Sequence, residues 1–280
     1  MKKLFAIILA MLVVCALASC GKTEDKTLGT GLGDGTLVYE SLTYEVNDNG
    51  TYEITGCTAT GTEDVAIAIK IPSEIDGRDV TGIGVAAFRA LKNLVSVTFE
   101  APCNIEYIGD CAFYDCDGLT AIELPDTLVS LGENAFEKCD KLASVRLSTA
   151  LTEIPKAAFM DCGSLSAINL HEGLTSIEAG AFMGCASLTS VTIPASVTEI
   201  GDTAFYNWKA LTSVTVLGTA LEKESIGQYV FERFEEKGEE PKILLFYFED
   251  NSGFAEYAAE NGYAKAPATP DGDNGSNIVS

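Results

Sequence analysis

Nine cysteines and one histidine carry whatever nucleophilic, redox or metal chemistry this 280-residue chain could perform. Four of the cysteines, Cys116, Cys139, Cys162 and Cys185, stand 23 residues apart. Zinc sites use close pairs such as C-x-x-C, completed by more cysteines or by histidines. No C-x-x-C occurs and His171 stands alone, so no metal ligand is assigned. Any Ser-His-Asp or Cys-His arrangement would need His171 as its base, with a carboxylate to orient it and an oxyanion hole. Glu172 is adjacent, but neither G-x-S-x-G nor H-E-x-x-H accompanies it. The sequence assigns no catalytic residue. The chain reads as a non-enzyme that needs no cofactor.

Two further motifs invite a ligand and fail on context. Gly82-Ile-Gly84-Val-Ala-Ala87 fits G-x-G-x-x-A, with Glu100 downstream, but a dinucleotide fingerprint needs a βαβ unit around it. Asp271-Gly-Asp273-Asn-Gly275 has the start of a calcium loop, with glycine at the fifth position and no glutamate to complete it. A solvated acidic tail is the better reading.

The elements that place these residues are set by a repeat. An Ala-Phe pair recurs with its phenylalanine at 88, 113, 136, 159, 182 and 205, and a Val-Phe copy follows at Phe231. Six residues after each of the first six phenylalanines comes a leucine, then V/I, then a large apolar residue, as in Leu119, Ile122 and Leu124. A second apolar pair, such as Leu128/Leu131, precedes the next phenylalanine. This spacing is a leucine-rich-repeat pattern. The alternating part predicts a short strand, so successive coils pair in parallel and form a ladder. In the unit 119–141 the inward set is Leu119, Ile122, Leu124, Leu128, Leu131, Ala135, Phe136 and Cys139. Burying each large member contributes ~1.5–3 kcal/mol, while ordering the backbone costs ~1–2 kcal/mol per residue. One coil cannot fold alone, so coils must stack.

The fold class that follows is a right-handed, horseshoe-like leucine-rich-repeat solenoid. It has a parallel β ladder, short helical or 3-10 turns, an N-terminal β cap and a C-terminal helical cap. Leu42–Val46 and Thr51–Ile54 flank the hairpin turn Asn47-Asp-Asn-Gly50. Residues 65–71, with Val80 and Ile83, make an irregular first coil lengthened by the turn Ile75-Asp-Gly-Arg78. A last strand is expected over 243–248, and Ser252 is the N-cap of a helix that ends at Gly262. His171 takes the column of Pro125 and Pro194, an exposed turn position. The four registered cysteines share their column with Leu91 and Trp208, an apolar slot, so buried thiols are expected. Stacked equivalents point the same way, which keeps their Cβ atoms wider apart than a disulfide prefers. Cys57, Cys103 and Cys111 lie off the column, and a bridge from Cys57 or Cys103 to Cys111 stays open.

The first twenty residues have a basic start (Lys2, Lys3), an apolar run too short for a membrane span, and small residues before Cys20. Leu17-Ala18-Ser19-Cys20 resembles the lipobox of bacterial lipoproteins, which implies cleavage before Cys20 and its acylation; an ordinary signal peptide is the alternative. The full chain carries −23, and loss of residues 1–19 removes two lysines and no acid, leaving −25. Such a chain is repelled by nucleic acid and by bare anionic lipid. The domains expected are a signal peptide (1–19), a lipidated flexible tether (20–37), the solenoid (38–264) and a disordered tail (265–280). Within the solenoid, 38–87 form the cap and first coil, 88–217 the regular repeats and 218–264 the C-terminal cap.

The repeat IGDxAFxxCxxLxxVxIP, with SGFAEYAAENGYA near the end, resembles the BspA-like leucine-rich-repeat family of bacterial surface proteins across residues 42–264. The resemblance implies a curved solenoid displayed outside the cell, in a family implicated in attachment to host extracellular proteins or other cells. Pro155 and Glu178 depart from the glycine after the isoleucine, Trp208 from the cysteine and Leu91 from its first copy. The ligand face expected is the outward side of the ladder: Thr98, Glu123, Arg146, Asn169, Thr192 and Thr215. It is small, polar and nearly uncharged, with Glu123 beside Arg146. Tyr206 and Trp208 are the aromatic anchor candidates, Trp208 being at least partly buried. The function expected is a surface-anchored, adhesin-like binding protein. It would be a monomer that meets the membrane only through its lipid and takes an extracellular or host surface protein as partner. An accessory envelope lipoprotein without a host ligand, or a glycan-binding module, is the alternative.

Overall fold

The computed structural model describes residues 36–37, 42–58, 66–232, 244–250 and 252–267. Its strands at the N-terminal end are β1 (Thr36–Leu37), β2 (Leu42–Val46), β3 (Tyr52–Cys57), β4 (Ile67–Ile71), β5 (Glu74–Ile75) and β6 (Arg78–Ile83). The repeats add β7 (Leu94–Phe99), β8 (Tyr107–Ile108), β9 (Ala121–Glu123), β10 (Ser130–Leu131), β11 (Ser144–Arg146) and β12 (Glu153–Ile154). Then come β13 (Ser176–Ile177), β14 (Ser190–Ile193), β15 (Glu199–Ile200), β16 (Ser213–Val216), β17 (Leu245–Tyr247) and one helix, α1 (Gly253–Glu260).

Each coil has three sides. One carries the longer strands β4, β7, β9, β11, β14, β16 and β17, paired in parallel in three segments, β1-β4-β7, β9-β11 and β14-β16-β17. The second carries β2, β3 and β6 at the N-terminal end and the two-residue strands after them, in the segments β2-β3-β6-β8-β10 and β12-β13-β15. The third is the turn around each Ala-Phe. Strands are short because only two inward side chains per side fit the core of a coil. The inward set read for residues 119–141 is buried throughout, as are the corresponding pairs from Ile105/Ile108 to Val197/Ile200.

The turn side holds the stack together. Phe88, Phe113, Phe136, Phe159, Phe182, Phe205 and Phe231 form one continuous column, with centroids 5.1–5.8 Å apart and planes within 23° of parallel. Offset stacking at this spacing adds to the area each ring buries. Beside the rings the backbone alternates. Residues two before and two after each of the first six phenylalanines take left-handed φ, as at Ala86/Ala90, Asn134/Lys138, Gly180/Gly184 and Thr203/Asn207. That alternation turns every second N–H toward the next coil: Asn134, Phe136 and Lys138 donate to the carbonyls of Lys156, Ala158 and Met160 at 2.8–3.0 Å. The turns are thus a hydrogen-bonded ladder of their own, with a 3-10 turn at Lys223–Ser225 near the end.

Both caps use the residues that the sequence marks. At the N-terminal end β2 and β3 form the antiparallel hairpin, and β5 folds back on β6 around Asp76-Gly77. At the other end the phenylalanine column stops on Phe246 and Phe254, which meet Phe231 edge-on at 5.6 and 6.1 Å. Ser252 caps α1 by accepting from the Ala255 N–H, and Phe254, Tyr257 and Ala258 are buried. Two expected boundaries shift. Thr36 and Leu37, assigned to the tether, pair with Ala68 and Ile69 of β4. Lys265, assigned to the tail, bridges Phe246, and Ala266 is buried and donates to the Phe246 carbonyl at 2.7 Å, so the cap continues to residue 267. In both places a strand edge was there to be covered.

Candidate binding surface

The six residues read as the ligand face lie on the longer-strand side, where Glu123/Arg146 and Thr192/Thr215 are paired in register. Lys70 faces Thr98, Glu123 faces Arg146, Thr192 faces Thr215, and Thr215 faces Tyr247. Thr98, Glu123, Arg146, Asn169 and Thr192 are exposed, and Thr215 is half-buried beside Tyr247. Ser96, Ala121, Ser144, Ala167, Ser190 and Ser213 form a second row of short side chains. The surface is low because these side chains are short, and near-neutral because its charges pair. Arg146 Nε lies 4.0 Å from Glu123, as the sequence suggests, but its shorter contact is Nη1 to Asp126 at 2.9 Å. Asp126 also accepts from the Thr149 N–H. These contacts, the Arg146 guanidinium first, hold the Asp126 carboxyl below its usual range. Spacing along the strand could not reveal this partner, because Asp126 sits in the turn that follows it.

Trp208 is not an anchor. It is 1% exposed, lies edge-on to Phe182 and Phe205, and donates from Nε1 to the Phe182 carbonyl at 2.6 Å. The same bond explains the cysteine column. Cys116, Cys139, Cys162 and Cys185 are fully buried, and each Sγ donates to the carbonyl of the phenylalanine in the preceding coil at 3.1–3.2 Å. Burial pushes the Cys116 thiol up to about 12 and shifts the other three upward as well. Cys57, Cys103 and Cys111 are half-buried thiols outside any disulfide.

The other candidates resolve into packing. Gly82 leaves room for the Tyr107 ring, which a Cβ would meet at 2.0 Å, and Gly84 leaves room for the Glu53 carboxylate at 2.6 Å. Tyr107 donates to Glu53 at 2.8 Å and accepts from Asn47 at 3.0 Å, which ties the N-terminal hairpin to the repeats. His171 is half-buried where an exposed residue was expected, because its Nδ1 accepts from the Gly173 N–H at 3.0 Å and folds the ring back on the turn. On the turn side Lys92 bridges Asp115 and Asp117, and these bonds raise its pKa. Asp140 and Asp161 nearby are shifted upward, mainly by burial and then by neighbouring acids. Among the described residues no group of three or more His, Cys, Asp or Glu is arranged to hold a metal ion. Cys20 and the acidic Asp271–Gly275 motif lie outside the described residues.

A family model described as the BspA type leucine rich repeat region matches in six copies, over residues 68–182 and 152–237. The chain belongs to this BspA-type family. A comparison with curated proteins finds no match. Among solved structures, a leucine rich cell surface protein from Faecalibacterium prausnitzii is 27% identical, with a TM-score of 0.50 over 65% of this chain and 54% of that one. A leucine rich repeat protein of T. pallidum is 26% identical, with a TM-score of 0.45 over 69% and 81% of the two chains. A leucine-rich repeat protein from Bacteroides ovatus is 21% identical, with a TM-score of 0.39. Among the described residues no helix is long and apolar enough to cross a membrane. In this BspA-type chain the turn ladder and the phenylalanine column recur from coil to coil, and a thiol or indole donor joins them at Cys116, Cys139, Cys162, Cys185 and Trp208.

Proposed function

We propose that this solenoid is a lipid-anchored, surface-exposed binding module that holds an extracellular or host surface protein without turning it over. The observation that carries this reading is the row Thr98, Glu123, Arg146, Asn169, Thr192 and Thr215. Five of the six are exposed, Glu123/Arg146 and Thr192/Thr215 are matched in register, and the row is nearly neutral on a chain whose formal charge is −23. Acid elsewhere repels most biological surfaces, so a neutral strip is where a protein can approach at least electrostatic cost. The cell-surface description of the Faecalibacterium relative and the lipobox ending at Cys20 support display outside the cell.

The test is immobilised domain presented with extracellular matrix proteins and, separately, with cell-surface glycans. Saturable binding to a protein, lost in Arg146→Glu combined with Thr192→Lys at unchanged melting temperature, is the expected result. Binding to glycans alone would transfer the site to a carbohydrate. Absence of saturable binding, together with unchanged adherence of cells lacking the gene, would leave an accessory envelope lipoprotein.

A further inference from the structure

The side of the solenoid built from two-residue strands is continuous from β2 to β10 and again from β12 through β15 to the bridge at Ile226, but it is broken once between them. The cause is a single residue. In this column the residue after the isoleucine donates its N–H to the preceding coil: Gly84 to Ile54, Gly109 to Ile83, Glu178 to Ile154, Gly201 to Ile177 and Gly227 to Ile200, at 2.7–2.9 Å. Position 155 is proline, which has no N–H to give. Glycine at 109, 132, 201 and 227 lets the coils close up, since a Cβ there would meet backbone of the coil before it at 2.3–2.7 Å, whereas Pro155 and Glu178 carry that carbon. Among the described residues, no backbone hydrogen bond joins 129–131 to 152–155. A cleft of about 540 Å³ runs along this side from Val85 to Ala179 and crosses the break, where Leu131, Gly132, Glu133, Glu153, Pro155 and Lys156 line it.

The other two sides of the same junction are intact. β9 and β11 pair over three residues, Arg146 reaches across to Asp126, and Phe136 stacks on Phe159 at 5.4 Å and 1°. The longer-strand side has its own interruptions elsewhere, between β7 and β9 and after the lone Ser144–Ala167 bridge. At both of those places the short-strand side is paired, as β8-β10 and as β13-β15.

We propose that the solenoid bends at the Pro155 junction, the coils before 142 and those after it pivoting on β9/β11 and the phenylalanine column so that the cleft opens and closes. A coil held on two sides and released on the third has one soft direction, which is the geometry of a hinge. Glu123 and Arg146 sit on opposite sides of this junction, so bending alters the curvature of the outward row. That consequence rests on the binding reading of the row, whereas the hinge itself does not.

The column just before the short strands supplies matched probes, because Val129, Thr152, Thr175 and Thr198 are all exposed. Nitroxide labels go on Val129 and Thr175, which span the Pro155 junction, or on Thr152 and Thr198, which are equally far apart in sequence and span only the longer-strand interruption, where the labelled side stays paired as β13-β15. Cys57, Cys103 and Cys111 are replaced by serine in both, and distance spread is read from dipolar broadening. The expected spread is roughly twofold wider for the spanning pair. It should narrow to that of the control pair in Pro155→Ala, which restores the donor, and in Pro155→Gly, which restores donor and space. Equal spreads for the two pairs in the unaltered background would overturn the hinge even if neither proline variant folds. So would a wide spread that persists in both variants.

Discussion

Cys139 illustrates what one position in a coil must satisfy. The Phe113 carbonyl has two acceptor directions: its own coil fills one through the Cys116 N–H at 3.3 Å, and the next coil fills the other through Cys139 Sγ at 3.2 Å. The column therefore asks for a donor as well as for volume, and Trp208 meets that request with an indole N–H. The sequence placed these thiols inside and unbridged, but read the column as apolar because leucine occurs in it; a bond from a side chain to a carbonyl 26 residues earlier leaves no mark on spacing. Cys139→Ala removes the donor and opens a small cavity, and calorimetry should show a loss of about 1–2 kcal/mol. Ionisation gives a second check. Burial keeps these thiols protonated in the folded chain at pH values where the unfolded chain, with thiols near the ordinary 9.0, has lost its protons. The stabilisation is complete below that value and declines as pH rises from it toward the raised values of the fold. The melting temperature should therefore be level from pH 7 to 8.5 and fall above about pH 9, less steeply in Cys139→Ala. Parallel curves for the two proteins would refute the assignment. With Cys57, Cys103 and Cys111 replaced, a thiol reagent should find no reactive group among the remaining repeat cysteines until denaturant is added.

At the scale of the element, the turn is the unit that the apolar pattern describes least. Period and inward residues follow from hydrophobic spacing, and they place β7, β9, β11, β14 and β16, though the copy at 165–170 keeps only the Ala167 bridge; they say nothing about the sign of φ. The signal was present in another form. Asp115, Asn134, Asp161, Gly180, Gly184 and Asn207 fall in the two left-handed columns, and these are the residue types that tolerate positive φ. Alanine and lysine in the same columns hide it. They hold the conformation because their neighbours' inter-coil hydrogen bonds require it, at a cost of about 1–2 kcal/mol each. Ala90, exposed and at φ 59°, is the clean place to test this. Glycine there removes the steric cost and adds roughly 0.4–1 kcal/mol of unfolded-chain entropy. Ala90→Gly, a change that destabilises an ordinary helix, should accordingly leave the melting temperature unchanged or raise it by about 2–4 °C. A fall of several degrees would show that the left-handed turn is not strained. Pro155 is the converse case. The missing glycine is legible as a departure from the repeat, yet its effect on a ladder three residues wide appears only when the coils are stacked.

For the whole molecule the question is how a one-dimensional stack is presented. β1 lies on the edge of β4, at the N-terminal end of the stack, while α1 and the 265–267 segment close the opposite end. If Cys20 carries lipid, the membrane lies beyond the N-terminal cap, the C-terminal cap is the distal end, and the outward row runs between them along the side. An acidic body supports this arrangement, because repulsion from anionic lipid keeps the solenoid off the bilayer that its anchor holds. Two acyl chains give lasting attachment where one is marginal, so everything depends on residue 20 being a modifiable cysteine. Cys20→Ala should abolish incorporation of labelled fatty acid and move the protein from the membrane fraction to the soluble one, with the melting temperature of the repeats unchanged. Protease added to intact cells carrying the unaltered protein should remove the solenoid and leave the acylated stub behind. Retention of Cys20→Ala in the membrane fraction would mean that another part of the chain holds it there. A solenoid fully protected from protease on intact cells would place the anchor on an inner leaflet, and the row from Thr98 to Thr215 would then face the envelope instead of a host.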